Sequence, residues 1–165
     1  MRTLHLLRHA EAQWQSPGPD GDHARPLSSR GVQQARGVGA YLLREATVDL
    51  VLASSATRTR QTAEALGLGV PVWSRDEIYN AGAQQILQQV RAIPEGCNCV
   101  VIVGHAPGIP ALAHLLADES SVAAARAVIA YRYPPATLAT LHVHGSWAKL
   151  RTASLATARI APEPG

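Results

Sequence analysis

Residues 97–105 read CNCVVIVGH. Val100, Val101, Ile102 and Val103 follow one another with no polar residue between them. A strand with one wet face would alternate, so this run is predicted to be a strand buried on both faces, as inside a parallel sheet. Parallel strands need helical crossovers. The sequence supplies them on both sides of this run. TLHLLRH (3–9) and VDLVLASS (48–55) are predicted strands. LSSRGVQQARGVGAYLLREA (27–46) is a predicted helix, with Ser28 or Ser29 as its cap and Val32, Ala35, Val38, Leu42 and Leu43 on one side. ATRTRQTAEALGL (56–68) is a second helix, ending at Gly67. VPVW (70–73) is a short strand and NAGAQQILQQVRAI (80–93) a helix with Ile86, Leu87 and Val90 as its stripe. PGIPALAHLLA (107–117) starts another helix, its prolines tolerated in the first turn. ATLATLHVHG (136–145) alternates like a strand, and SWAKLRTASL (146–155) is its predicted partner across a Gly-Ser turn. Residues 119–131 are rich in Ala and show no firm period, and residues 156–165 read as a frayed, flexible tail. The expectation is one α/β domain over residues 1–165, three-layer α/β/α, with a mostly parallel sheet and an antiparallel edge strand.

The totals agree with a globular domain. Apolar residues make up 47% and charged residues 16% of the 165 positions, too apolar for a disordered chain. The apolar runs are far short of the roughly 20 residues of a membrane span. The first strand begins within three residues of Met1, leaving no room for a signal peptide, so a cytoplasmic location is expected, with no membrane partner. Net charge is +3, and of fifteen basic residues only Lys149 is a lysine. The arginines are scattered, which does not make the patch or stripe that nucleic acid requires. Cys97 and Cys99 sit two apart on an extended segment, a spacing that rarely bridges well, and are read as reduced.

In open α/β sheets, ligands bind beyond the carboxyl ends of the strands. Three predicted strands end there in chemically capable residues. The first ends in Arg8 and His9. The second ends in Ser54 and Ser55, with Arg58 in the first turn of the next helix. The 97–105 strand ends in Gly104 and His105. Taken singly, each His or Arg reads as a surface residue. Together, two imidazoles and two guanidinium forks make a phosphate site. A neutral His can attack phosphorus and a second can share the developing charge.

Four blocks in order carry a family resemblance. LLRHAEA (6–12), RPLSSRGVQQA (25–35), SSATRTRQTAEAL (54–66) and VIVGHAPGI (101–109) resemble the signature segments of the histidine phosphatase superfamily, the phosphoglycerate mutase-like fold. The resemblance implies a phosphatase in which His9 is the nucleophile, while Arg8, Arg58 and His105 hold the phosphoryl oxygens. It also implies Glu77 as the proton donor, with Asp76 as its close rival, and a phosphate contact from Gln15, where related chains carry Asn. Ser55 stands where the family commonly has Pro, and Thr59 where it has Ala. The short chain and EIYNAGAQQILQQVR (77–91) resemble the SixA-type phosphohistidine phosphatases, whose compact site implies a phosphorylated protein side chain as substrate. The alternatives are a small-molecule phosphomonoesterase of broad specificity and, further off, a mutase-type phosphotransferase or a non-catalytic phospho-ligand sensor. No metal, nucleotide or other cofactor is implied, and a monomer or weak dimer is expected.

The remaining residues have plainer readings. His5 is a core histidine by default and a neighbour of the site by alternative. His142 and His144 lie on one face of a strand with no third metal ligand. His23 and Arg25 fall in the long loop after the first strand, where they border the site. Trp14 packs over the cleft or caps the core, and Glu11 ties its loop to the helix behind it.

Overall fold

The computed structural model describes residues 1–16 and 18–162. Six strands form one sheet: β1 (Arg2–Arg8), β2 (Leu50–Ser54), β3 (Val72–Arg75), β4 (Cys99–Gly104), β5 (Leu138–Val143) and β6 (Ser154–Arg159). Five α-helices cover it: α1 (Ser29–Glu45), α2 (Thr57–Ala65), α3 (Ala83–Arg91), α4 (Gly108–Leu116) and α5 (Ala123–Tyr131). The strand order is β3-β2-β4-β1-β5-β6. The run that reads as doubly buried is the centre of this sheet. β4 pairs in parallel with β1 on one side and β2 on the other, and all six of its residues are buried.

Side-chain alternation along the strands sorts the core into two layers. Leu4, Leu6, Leu52 and Ile102 pack under α3, α4 and α5, through Ile86, Val90, Leu112, Leu116 and Ile129. Leu7, Val51, Val101 and Val103 pack under α1 and α2, through Ala35, Val38, Leu42, Ala63 and Leu66. Each fully buried Leu or Ile contributes roughly 1.5–3 kcal/mol. The result is the expected three-layer α/β/α domain. Among the described residues no helix is long and apolar enough to cross a membrane.

Several elements differ from the sequence reading. β3 runs over Val72–Arg75, two residues later than expected, because Pro71 has no N–H to give a ladder and only its carbonyl accepts, from Val51. Residues 123–131 are helical; the stripe is only Ala125 and Ile129, too small to stand out in an Ala-rich stretch. The reversed strand is β5, one in from the edge, and β6 lies outside it. β6 starts at Ser154 rather than just past Gly145. Trp147 explains the delay: it is fully buried, and its Nε1–H donates to the Cys97 carbonyl at 2.7 Å, which draws the chain into a 3-10 turn at Trp147–Lys149. Residues 157–159, expected in the tail, pair with β5, and the register shifts at Ala156. The end of that tail, residues 163–165, lies outside the described residues.

Candidate active site

Strand register builds the site. Arg8 of β1 lies opposite Gly104 of β4, and Ala53 of β2 lies opposite Val103. His9, His105 and Ser54 therefore leave the same edge of the sheet. The His9 N–H donates to the Gly104 carbonyl at 2.9 Å, fixing the first imidazole beside the second. Their ring centroids are 5.3 Å apart at a tilt of 58°. Arg58 arrives from the first turn of α2, directly after β2. His9 and His105 are each 6% exposed and Arg58 5%, so these are not surface residues at ragged strand ends.

A hydrogen bond to a carbonyl sets the tautomer of His9. His9 Nδ1 is 2.7 Å from the Ala10 carbonyl, which can only accept. Nδ1 therefore carries the proton and Nε2 the lone pair. Burial pushes the His9 pKa down to about 4, opposed in part by the Ala10 bond and aided by the charges of Arg58, Arg8 and Arg25. His9 is thus neutral at neutral pH, with Nε2 uncommitted. His105 Nε2 is 2.7 Å from Ser54 Oγ. That hydroxyl already accepts from the Ala56 N–H at 3.2 Å, and Thr59 Oγ1 lies 3.0 Å from it. With the serine proton turned toward His105 Nε2, His105 Nδ1 carries the ring proton and is a donor. Burial, followed by Arg58 and His9, lowers the His105 pKa to about 3.

The arginines are held by carbonyls and a carboxylate. Arg8 donates one terminal N–H to the Tyr133 carbonyl at 3.0 Å. Arg58 donates to the Asp22 carbonyl at 2.8 Å and to Asp22 Oδ2 at 3.1 Å. The Tyr79 hydroxyl donates to the same Oδ2 at 2.6 Å, and Arg25 pairs with Oδ1 at 3.1 Å. These residues, with Asn80 and Ala106, line an open cleft of about 460 Å³. Arg8 Nε, Arg58 Nε and His105 Nδ1 are buried and have no partner. Buried donors left unpaired are costly, and here three meet in one cleft. All three residues line the cleft, and a tetrahedral anion with several acceptor oxygens suits such a set of donors.

The other sequence blocks support this cradle from behind. Thr62 Oγ1 accepts from the Ala10 N–H at 3.1 Å and donates to the Arg58 carbonyl at 2.7 Å, linking the loop after β1 to α2. Ser28 caps α1 and donates to Glu11 Oε1 at 2.9 Å. A Cβ on Gly31 would fall 2.0 Å from the Glu11 carbonyl, so this position of α1 accepts only glycine. Glu11 is the tie between loop and helix that the sequence suggested.

The structure thus brings Arg8, His9, Arg58 and His105 together. It does not bring Glu77 or Gln15 to the cleft. Gln15 is exposed in the loop after β1. Glu77 and Asp76 are exposed on a 3-10 turn that Ile78, 1% exposed, anchors to the core. The residue this turn delivers to the cleft is Tyr79. Sequence reasoning missed Asp22, Tyr79 and the Ser54 bond to His105. The available signal for Asp22 was its place three residues before Arg25, which opens the RPLSSRG block. His5 is a core residue: its Nδ1 bonds Thr140 Oγ1 at 2.9 Å within the sheet. His23 bonds Ser55 Oγ at 3.0 Å, so the serine that replaces the common proline has a partner. Trp14 is 92% exposed and caps no core; it borders a groove that shares Arg8, His9 and Arg25 with the cleft.

Comparison with known proteins meets this geometry from outside. Residues 4–81 match the sequence profile of the histidine phosphatase superfamily (branch 1). An uncharacterized Mycobacterium tuberculosis protein is 36% identical over 146 residues, covering 86% of this chain and 90% of its own length. The structure ascribed to phosphohistidine phosphatase SixA from Nakamurella multipartitia is 38% identical, covers 97% of this chain and 96% of that one, and superposes with a TM-score of 0.86. A second structure with the same ascription, from Agrobacterium tumefaciens, is 28% identical with a TM-score of 0.78 and covers 98% of this chain and 99% of that one.

Proposed function

The chain belongs to the histidine phosphatase superfamily and is a phosphatase, and we propose that it acts through a phosphohistidine formed on His9, with a phosphohistidine side chain of another protein as substrate. The observation that carries the mechanism is a neutral imidazole, with Nε2 uncommitted, set in a cradle of unpaired buried N–H donors. His9 Nε2 attacks phosphorus. The new N–P bond forms as the substrate's own N–P bond breaks, and the leaving imidazole keeps that electron pair and takes its proton from solvent. Arg8, Arg58 and His105 Nδ1 receive the phosphoryl oxygens and stabilise the charge spread over them in the transition state. Water then attacks the phosphorus on His9, releasing phosphate and regenerating the neutral ring.

The choice of leaving group follows from the carboxylates. Among the described residues lining the cleft, Asp22 is the one carboxylate. The Tyr79 hydroxyl, and then Arg58 and Arg25, hold its pKa below the usual range against a smaller opposing effect of burial. It is ionised at neutral pH and has no proton to give. An alkoxide leaving group needs an enzyme acid, whereas an imidazole does not. The likeness to chains ascribed to SixA supports the same substrate class.

Two measurements test this reading. Protein incubated with labelled phosphohistidine peptide and quenched in alkali is expected to retain label that acid removes, and His9→Ala protein to retain none. In a substrate panel, phosphohistidine peptides are expected to exceed alkyl phosphates in kcat/KM by at least ~10²-fold, the usual worth of one general acid. Equal rates on both would assign the chain to broad phosphomonoester hydrolysis instead.

A further inference from the structure

A carboxylate stands inside a cleft otherwise built to receive anions. Asp22 lies in the 3-10 turn Gly21–Ala24, entered through Gly21 at φ +58°, a conformation that favours glycine. Its two carboxylate oxygens and its carbonyl take bonds from Arg58, Arg25 and Tyr79, all between 2.6 and 3.2 Å. The next residue doubles the attachment. His23 Nε2 bonds Ser55 Oγ at 3.0 Å, and the His23 ring meets Tyr79 edge-on at 4.8 Å. The turn is therefore fastened both to the start of α2 and to Tyr79.

The contact has two physical consequences. Arg58 uses one hydrogen of each terminal nitrogen on Asp22, which fixes the plane of the guanidinium and leaves Nε–H and one hydrogen on each terminal nitrogen for a ligand. The second consequence is charge. Asp22 carries a full negative charge at the wall of the cleft, with its side chain 47% exposed. A second anionic group on the substrate, close to the phosphoryl group, would meet that charge.

We propose that Asp22 is a positioning and selectivity residue: it sets Arg58 and Arg25 around a single phosphoryl group and discriminates against substrates bearing another negative charge next to it. The leaving groups so favoured are neutral or cationic. The proposal rests on the phosphatase reading above and sharpens its substrate class.

The test uses the full chain and two aryl phosphates that differ by one charge, phenyl phosphate and 3-carboxyphenyl phosphate. The quantity read is the ratio of their kcat/KM values, in which general damage to the fold cancels. Asp22→Asn is expected to shift that ratio about tenfold toward the carboxylated substrate, the size of one charge–charge contact at the rim of a protein cleft. Asp22→Ala is expected to give the same shift and to lower kcat on phenyl phosphate at least ~10-fold, with Asp22→Asn recovering part of that loss, because a misplaced guanidinium weakens transition-state binding. Tyr79→Phe, which takes a donor from the carboxylate and leaves its charge less compensated, is expected to shift the ratio ~2–3-fold the other way, away from the carboxylated substrate. A ratio unchanged within twofold in folded Asp22→Asn overturns the selectivity role. If that variant does not fold, an unchanged ratio in Tyr79→Phe overturns it. Equal kcat losses in Asp22→Asn and Asp22→Ala, without the ratio shift, overturn the positioning role. Failure of the underlying mechanism looks different: turnover that survives His9→Ala would strike the phosphohistidine intermediate, while the charge ratio of the wild type would still report on Asp22.

Discussion

His5 and His9 are four residues apart along one strand and its exit, and by several measures they are alike. They are 3% and 6% exposed, and both have a pKa pushed down to about 4, mainly by burial. Each has Nδ1 tied to an oxygen and Nε2 without a partner in the protein: His5 to Thr140 Oγ1 at 2.9 Å, His9 to the Ala10 carbonyl at 2.7 Å. What separates them is the surroundings of the free nitrogen. The second influence on His5 is another imidazole, His142, on the neighbouring β5. His9 faces Arg58, Arg8 and Arg25 at the open edge of the sheet. Burial makes a neutral imidazole in either place; the proposed nucleophile is the one that a cluster of cations surrounds.

Substituting each histidine breaks the comparison most sharply. His9→Ala is expected to abolish turnover of a phosphohistidine peptide, by at least ~10⁴-fold in kcat, because the attacking atom is gone. Its thermal stability should change little, since the cradle has room and the ring makes one hydrogen bond. His5→Ala is expected to do the reverse. It leaves a cavity and an unpaired Thr140 hydroxyl inside the sheet, costing about 1–3 kcal/mol, with kcat within a few-fold of wild type. Paired activity assays and denaturant titrations give both numbers. A large activity loss in folded His5→Ala would mean the two imidazoles are coupled along β1.

Much of this contrast was legible in the sequence. CNCVVIVGH located the sheet centre, and the blocks ending in Arg8-His9, Arg58 and His105 gave the cradle, because register in a parallel sheet aligns strand ends. The tie made by Glu11 was also readable, since Ser28 and Gly31 repeat a helix-start pattern. What escaped was whatever depends on how a loop folds back. Asp22 sits 36 residues from Arg58 in a Gly- and Pro-rich loop whose conformation no periodicity sets. Tyr79 reached the cleft in place of Glu77 because Ile78 is the residue the core accepts, and that choice is made by packing. Trp147 likewise moved the start of β6 by a burial that no alternation pattern announces.

Acid sharpens the same comparison with a smaller effect. The folded-state pKa values of His5 and His9 are about 4, and that of His105 about 3, all below the ordinary 6.5. The unfolded chain therefore binds protons first. Their neutrality stabilises the fold fully above about pH 6.5, and the benefit is lost as pH falls from there toward 4. Each histidine accounts for on the order of 3 kcal/mol across that window. The losses from His9 and His105 do not add simply, because the two rings are 5.3 Å apart and repel when both are charged. Unfolding curves from pH 7 to 4 should show this decline. Inorganic phosphate should oppose it, since an anion in the cradle welcomes charge on His9 and His105 and is indifferent to His5. The phosphate-dependent gain in Tm should then persist in His5→Ala and shrink in His105→Ala. An equal gain in all three proteins would place the bound anion elsewhere.

The smallest effect is expected at Glu77, and it extends the lesson from histidines to carboxylates. Position along the chain recommended Glu77 as an acid, just as strand position alone recommends His5 as a catalyst. Yet Glu77 is exposed on its turn, while Asp22 lines the cleft and is held ionised by Tyr79, Arg58 and Arg25. Surroundings again decide what a side chain can do. Glu77→Gln is accordingly expected to change kcat/KM for a phosphohistidine peptide by no more than about twofold, with the pH profile unmoved, since the side chain is exposed and does not line the cleft. The discriminating measurement is the same variant on an alkyl phosphate. A tenfold loss confined to that substrate would show that the turn swings Glu77 into the cleft when an alkoxide must leave, and that the chain keeps an acid in reserve for esters. Equal, near-wild-type rates on both would leave Asp22 as the one carboxylate that shapes the reaction, acting through its charge alone.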